Sequence, residues 1–402
     1  MTEPTQRRVV VLGAGAAGTA AARTLATQPG VSVSLVARTD ETPSNRMLVN
    51  KGIAIDLLQP EQIALPLPGV ELITDTAHAV STVSAVSATT AGAESRHSVV
   101  LASGATLDAD VVLIATGSAP RALPIEVPGA TQAQQPENIT TLHSLADGVR
   151  VRDALAAGPS RILVLGGGIL AGETASLLAA RSHEVTMVTR SAVPGAGAFG
   201  AAVAQRILEL HRSRLDLRAG RSLSEVKAST SGAADEVLVT LDDGSRIAAD
   251  LMVVAHGTVP TGPAPWASGL EVDARLRVPG TPRVYAAGGV ARHRHPLIGD
   301  WRIDHWADSA AQGEHAARSV LHDLGLGEDP GAYLPATMHA TTIHGTSLTA
   351  AGLTGPPAAD RVVSLDPLVV VHEIEGIPVG VSGLDAAALV PDWLGRLHKP
   401  TS

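Results

Sequence analysis

Arg8-Val9-Val10-Val11-Leu12-Gly13-Ala14-Gly15-Ala16-Ala17-Gly18 is the stretch that decides the fold. Five residues without polar alternation read as a strand buried on both faces. A complete Gly-x-Gly-x-x-Gly follows, and an Ala-rich helical pattern runs on to about Thr27. The glycines permit a tight turn and the close approach of a pyrophosphate, and the helix N-terminus favours phosphate charge. This predicts a βαβ dinucleotide-binding unit.

A second unit of the same kind lies downstream. Arg161 to Leu165 reads as a strand, and Gly166-Gly167-Gly168-Ile169-Leu170-Ala171-Gly172-Glu173 is a Gly-x-Gly-x-x-Ala with an acid two positions on. A Pro/Gln/Asn-rich connection over 124–139 and a helix over Thr140–Ala156 lead into it. The next strand, Glu184 to Val188, ends in Thr189-Arg190. Beyond it, the pattern predicts a helix over 200–213 and a hairpin over 236–248 turning at Asp242-Asp243-Gly244. Ala249 to Gly257 is expected to return the chain to the first sheet. Far downstream, Val284-Tyr285-Ala286-Ala287-Gly288-Gly289 closes a further strand in a small-residue turn. Two nucleotide loops and this late turn suggest one chain folding around two dinucleotides.

Composition narrows the function. The 402 residues suffice for two or three domains with their own cores. Aromatics are only 2%, so Ala, Val and Leu must fill those cores. A net charge of −9 gives no electrostatic case for nucleic acid. The apolar run from Val9 enters a glycine loop and so reads as a strand, not a signal peptide. No stretch approaches the length of a membrane span, and the expectation is a cytoplasmic protein. Cysteine is absent. That excludes a flavin disulfide reductase, a thiol peroxidase and any Cys-ligated zinc or iron–sulfur site.

Several shorter segments carry a resemblance. Pro43, Arg46 and Lys51 keep the spacing of an Arg-Pro-Pro-Leu-Ser-Lys segment. Ala115-Thr116-Gly117 ends a buried strand, with Pro120-Arg121 after it. Gly257-Thr258-Val259-Pro260 looks like a Gly-x-x-Pro turn, and Asp304-His305-Trp306 looks like an acid–His/Thr–Trp sequence opening a helix. With the two loops, the chain from about residue 8 to about residue 325 resembles the ferredoxin-reductase-like branch of the two-dinucleotide flavoprotein reductases. The resemblance implies an α/β fold with two Rossmann-like domains. FAD would occupy 1–122 and 246–326, NAD(P)H an inserted domain at 123–245, and 327–402 would form a C-terminal α+β interface domain.

It also implies site roles. Gly13, Gly15, Ala16, Ala17, Gly18, Arg46, Ala115, Thr116, Gly117, Arg121, Gly257 and Gly288 belong to the FAD side. Gly166, Gly168, Ile169 and Leu170 belong to the NAD(P)H side. Lys51 is placed beside the isoalloxazine, where a fixed cation stabilises charge on reduced flavin, and Glu173 is its expected ion-pair partner. His305 and Trp306 border the pyrimidine side of the ring. Thr189-Arg190 stand where NADH-preferring relatives carry an acid, which leans toward NADPH over NADH. The acceptor implied is a small iron–sulfur carrier, and a homodimer is left open.

The chain departs from the pattern at three places. At the end of the second strand the ribose-binding acid is replaced by Ala37-Arg38-Thr39-Asp40. Arg38 either stacks on adenine or meets a 2′-phosphate, or it is solvated and Asp40 substitutes. Gly289 stands where the family has an Asp that accepts a hydrogen bond from the ribityl chain, a bond worth roughly 1.5–3 kcal/mol. The backbone N–H groups there are still expected at a helix N-terminus. Ala336 to Thr342 replaces an aromatic Trp-x-Trp-Ser-Asp-like segment. Two rivals therefore stand beside the reductase reading: an oxidase or quinone-type reductase acting on a small molecule, and a flavin-poor, non-catalytic descendant. Arg292-His293-Arg294-His295 reads as an exposed basic loop without metal spacing. The last region is expected to hold strands at 338–343, 361–364, 368–374 and 377–382 and a helix over Asp385–Leu397.

Overall fold

The structure is a computed structural model, and it describes residues 6–38, 42–83, 96–128, 136–229 and 236–399. The chain divides into two compact units: 1–45 with 63–119 and 258–334, and 46–62 with 120–257 and 335–402.

The first unit is built on a five-stranded parallel sheet. Its order is Val284–Ala286, Val111–Ile114, Arg7–Leu12, Val31–Ala37, Glu71–Thr74. Leu12 pairs with Val36 on one side and Ile114 on the other. Val9 to Leu12 are buried because each has a neighbouring strand on both edges and cover on both faces. Helix Ala16–Ala26 crosses helix Trp306–Asp323 so closely that a Cβ on Gly313 would lie 2.0 Å from the Ala17 carbonyl oxygen. Small residues are what allow that approach. Arg96–Leu101 and Thr106–Ala109 form an antiparallel hairpin.

Residues 291–295 are not an exposed loop. They form a strand pairing with Leu270–Val272 and Gly299–Trp301. Alternation turns His293 inward, where it is 5% exposed and stacks on Trp301 at 3.8 Å between ring centroids. Burial pushes its pKa down to about 4.

The second unit repeats the architecture: Asp216–Ala219, Glu184–Thr189, Arg161–Leu165, Leu251–Val254, Ile139–Thr140, all parallel. One expectation fails here. Residues 249–257 do not return to the first sheet, because Ile162 pairs with Leu251 and Leu165 with Val254. Apolar content alone does not say which of two buried sheets a strand joins. The helix expected from Thr140 starts at Leu145, because Ser144 and Asp147 form a reciprocal capping box and Ile139–Thr140 is used as a strand.

The C-terminal segment is a five-stranded antiparallel sheet ordered Met338–Ile343, Thr346–Gly352, Ile377–Leu384, Leu368–Ile374, Ala359–Leu365. Thr346–Gly352 was not anticipated. Its Thr-Ala-Ala-Gly end is poor in strand formers, yet a two-residue turn at His344 (φ 50) and Gly345 (φ 86) fixes the hairpin. The expected Asp385–Leu397 helix shrinks to Pro391–Leu394, since Pro391 admits a helix only as its first residue.

Candidate functional site

The first glycine loop has the shape of a pyrophosphate cradle. Gly13 sits at φ +103, and a Cβ there would lie 2.4 Å from the Ala115 carbonyl oxygen, so this turn and the Ala115-Thr116-Gly117 turn touch. A Cβ on Gly18 would lie 1.8 Å from the Gly13 oxygen, whereas Gly15 faces open space. Gly15 caps helix Ala16–Ala26 with no side-chain hydrogen bond, leaving the first-turn amides for a ligand. Gly288 lies against Ala17, a Cβ there reaching 3.0 Å from the Ala17 Cβ. The strand order changes direction between Arg7–Leu12 and Val111–Ile114, the crevice where open α/β sheets bind ligands.

One detail of the late turn corrects the sequence reading. Gly288–Val290 is a single 3-10 turn running into a strand, not a helix start. The Gly288 N–H is committed to Gln312 Oε1 at 2.8 Å. The long helix begins instead at Trp306, capped by His305, whose ring accepts from the Ala307 N–H at 3.3 Å. Trp306 is half-buried. Arg38 is exposed just past Val31–Ala37, and Thr39 and Asp40 lie outside the described residues.

The second loop is cut the same way. A Cβ on Gly166 (φ +143) would lie 2.2 Å from the Ala255 oxygen, and one on Gly167 2.4 Å from Thr189 Oγ1, while Gly168 faces open space. Gly168 caps helix Ile169–Ala179, again without a side-chain bond, so Ile169 and Leu170 present free amides. Thr189 is buried and Arg190 exposed. The Arg121 N–H donates to the Gly257 carbonyl at 2.9 Å. Burial first, then the charges of Arg121 and Arg190, lowers the pKa of His256. Both guanidinium groups thus disfavour charge on His256, the residue after Ala255.

In the same unit, Lys51 Nζ stands 3.6 Å from Glu173 Oε1. Lys51 lies on a π-helical turn, Val49–Ile53, and is 30% exposed at its side chain; Glu173 is 11% exposed. Two residues the sequence did not flag complete the arrangement. Asn50, nearly fully buried, donates from Nδ2 to Glu173 Oε2 at 2.9 Å and accepts from the Thr174 hydroxyl at 3.0 Å. The Thr341 hydroxyl donates to Glu173 Oε1. The carboxylate thus takes a charged and two neutral donors, which a buried anion requires. Asn50 adjoins Lys51 in sequence, but no spacing rule pointed to Thr341. Arg46 Nη1 lies 3.4 Å from His143 Nε2.

Two glycine cradles on parallel sheets, with a lysine–glutamate pair after the first turn of the second, define a two-dinucleotide oxidoreductase fold. The chain belongs to the pyridine nucleotide-disulphide oxidoreductase family, whose pattern it matches over residues 7–313. Membership implies FAD and a pyridine nucleotide, and both loops fit a dinucleotide pyrophosphate. The disulphide of the family's name has no counterpart in a chain without cysteine.

Human apoptosis-inducing factor 3 is 30% identical over 335 residues, 78% of this chain and 50% of that protein, so this chain spans half its length. The ferredoxin–NAD(+) reductase component of the 3-phenylpropionate/cinnamic acid dioxygenase of Photorhabdus laumondii is 25% identical over 319 residues, covering 78% of this chain and 77% of that one. In fold, the covalent putidaredoxin reductase–putidaredoxin complex is similar at TM-score 0.79 and 21% identity, over 97% of this chain and 93% of that one. Among the described residues no helix is long and apolar enough to cross a membrane, and no cluster of His, Asp and Glu has metal-binding geometry.

Proposed function

We propose that this protein is an FAD-dependent NAD(P)H oxidoreductase that passes electrons to a small iron–sulfur protein. The observation that carries the reading is the pair of cradles, each sterically closed around an open central position, Gly15 in one and Gly168 in the other. When bound, FAD and the nicotinamide nucleotide supply the hydride acceptor and donor. The chain's own contribution is positioning and charge. The first loop, with Ala115 to Gly117, holds the FAD pyrophosphate, and the second holds that of the nicotinamide nucleotide. Lys51 supplies a fixed cation, and Glu173, fixed by Asn50 and Thr341, keeps that cation oriented.

NADPH is the preferred donor in this reading. Thr189-Arg190 removes the repelling acid, and Arg190 with Arg121 supplies cationic charge that suits a 2′-phosphate. Residues 327–402 serve as the interface domain toward the acceptor, and the protein works in the cytoplasm. A second acceptor, a small molecule such as a quinone, is favoured by one observation: strand Met338–Ile343 carries no Trp, Tyr or Phe.

The test is the visible spectrum of the purified protein before and after anaerobic NADPH, repeated with NADH. A flavin band bleached faster by NADPH is the expected result. A protein that stays colourless after soaking with FAD sinks the redox reading in favour of a nucleotide- or partner-binding role. Steady-state reduction of a ferredoxin against a quinone then separates the two acceptors.

A further inference from the structure

Gly289 has no side chain, and Asp304 fills the space one would take: a Cβ at 289 would lie 2.4 Å from Asp304 Oδ1. This carboxylate cannot simply swing aside. Its Oδ2 accepts from the Ser118 hydroxyl at 2.6 Å, from the Thr258 hydroxyl, and from Arg302 Nη1 at 3.4 Å. Arg302 also donates to the Gly289 carbonyl at 2.7 Å and to the Thr258 hydroxyl at 2.9 Å. One guanidinium therefore fixes the glycine and the carboxylate against each other.

The hydrogen bonds are unevenly shared. All of them fall on Oδ2, and among the described residues Oδ1 accepts none, with the side chain 28% exposed. An anionic oxygen with unused lone pairs thus points at a turn stripped of its side chain. That turn follows strand Val284–Ala286, and Gly288 within it packs on Ala17 of the first glycine loop. A dinucleotide seated on the loop runs past the carboxyl ends of these strands.

We propose that Asp304 Oδ1 is the acceptor for a hydroxyl of the cofactor's sugar-alcohol chain. The carboxylate is delivered by the segment before the last long helix, not by the turn itself. Residue 289 must then be glycine because Asp304 occupies its side-chain volume. The proposal rests on the FAD reading of the first loop and explains how the chain retains that cofactor without an acid at 289.

The test is FAD binding to apoprotein, followed by quenching of flavin fluorescence, for the wild type, D304A, G289D and the double variant. D304A is expected to bind FAD about ten- to a hundred-fold more weakly, the loss of one charged acceptor. G289D alone, forced against Asp304, is expected to lose about tenfold or more. The double variant moves the carboxylate to the turn and frees its space, so it should return to within about threefold of wild type. A purely structural Asp304 would not be rescued this way. D304N, which keeps the volume, covers a D304A protein that fails to fold and should weaken FAD about threefold or more. Wild-type affinity in D304A or D304N, or a double variant no better than its parents, overturns the proposal and leaves the FAD reading standing. A wild-type protein that binds no FAD overturns both.

Discussion

At the first glycine loop a Cβ on Gly18 would fall 1.8 Å from the Gly13 oxygen; at the second, a Cβ on Gly166 would fall 2.2 Å from the Ala255 oxygen. Each loop leaves its middle glycine, Gly15 or Gly168, in open space, and each opens a helix with no side-chain cap. The backbones are interchangeable in kind. The surrounding charge is not. The first loop has a carboxylate near it, Asp304, held by an arginine; the second has two guanidinium groups acting on His256. The two loops share their steric closure and differ in the charges that distant segments place around them.

Breaking the backbone should produce the largest effects. Gly18→Ala is expected to destabilise the fold by about 3 kcal/mol, read as a lowered denaturant midpoint without cofactor. Gly15→Ala should leave that midpoint unchanged while FAD binding weakens by about tenfold or more. If both variants lose stability equally, Gly15 is a packing glycine and the comparison fails.

Acid tests the two units against each other. His293 in the first and His211 in the second each have a folded pKa of about 4, lowered chiefly by burial, and for His211 also by His344, whose Nε2 is 2.9 Å from His211 Nδ1. Both are below the ordinary 6.5, so the unfolded chain takes up protons first. Stability is complete above about pH 6.5 and falls as pH drops toward 4, by up to ~3 kcal/mol for each histidine. Urea midpoints at pH 7, 5.5 and 4.5 check this, and a His211→Gln variant that shows the full wild-type slope would remove the second unit's share.

Charge changes come next. Glu173→Gln keeps the shape but removes the anion facing Lys51, and the rate of flavin reduction by NADPH is expected to fall about ten- to a hundredfold. Rapid-mixing absorbance measures it, and an unchanged rate confines the pair to a structural part. Arg190→Ala should weaken NADPH about tenfold and leave NADH alone. Equal losses for both nucleotides would mean that Arg190 does not see the 2′-phosphate.

The sequence made the local features legible. Both loops, the strand before each, and the helix opening at Trp306 depend on near neighbours and on the small residues that permit close approach. What escaped it depended on distance. Leu251–Val254 joins the second sheet because of its partner Arg161–Leu165, and nothing in its own composition specifies that choice. His293 reads as basic loop until Trp301 is stacked on it. Asn50 and Thr341 look like ordinary polar residues until Glu173 is set between them. Gly289 reads only as a missing acid, because Asp304, which fills the space beside it, is not adjacent in the chain.

The bond from Thr341 to Glu173 joins residues 168 positions apart. A ribosome adding about 5–20 residues per second synthesises Glu173 roughly ten to thirty seconds before Thr341. During that interval the glutamate lacks one of its three donors. A chain ending between residues 326 and 340 would contain every strand of both parallel sheets and still leave this carboxylate without its Thr341 donor.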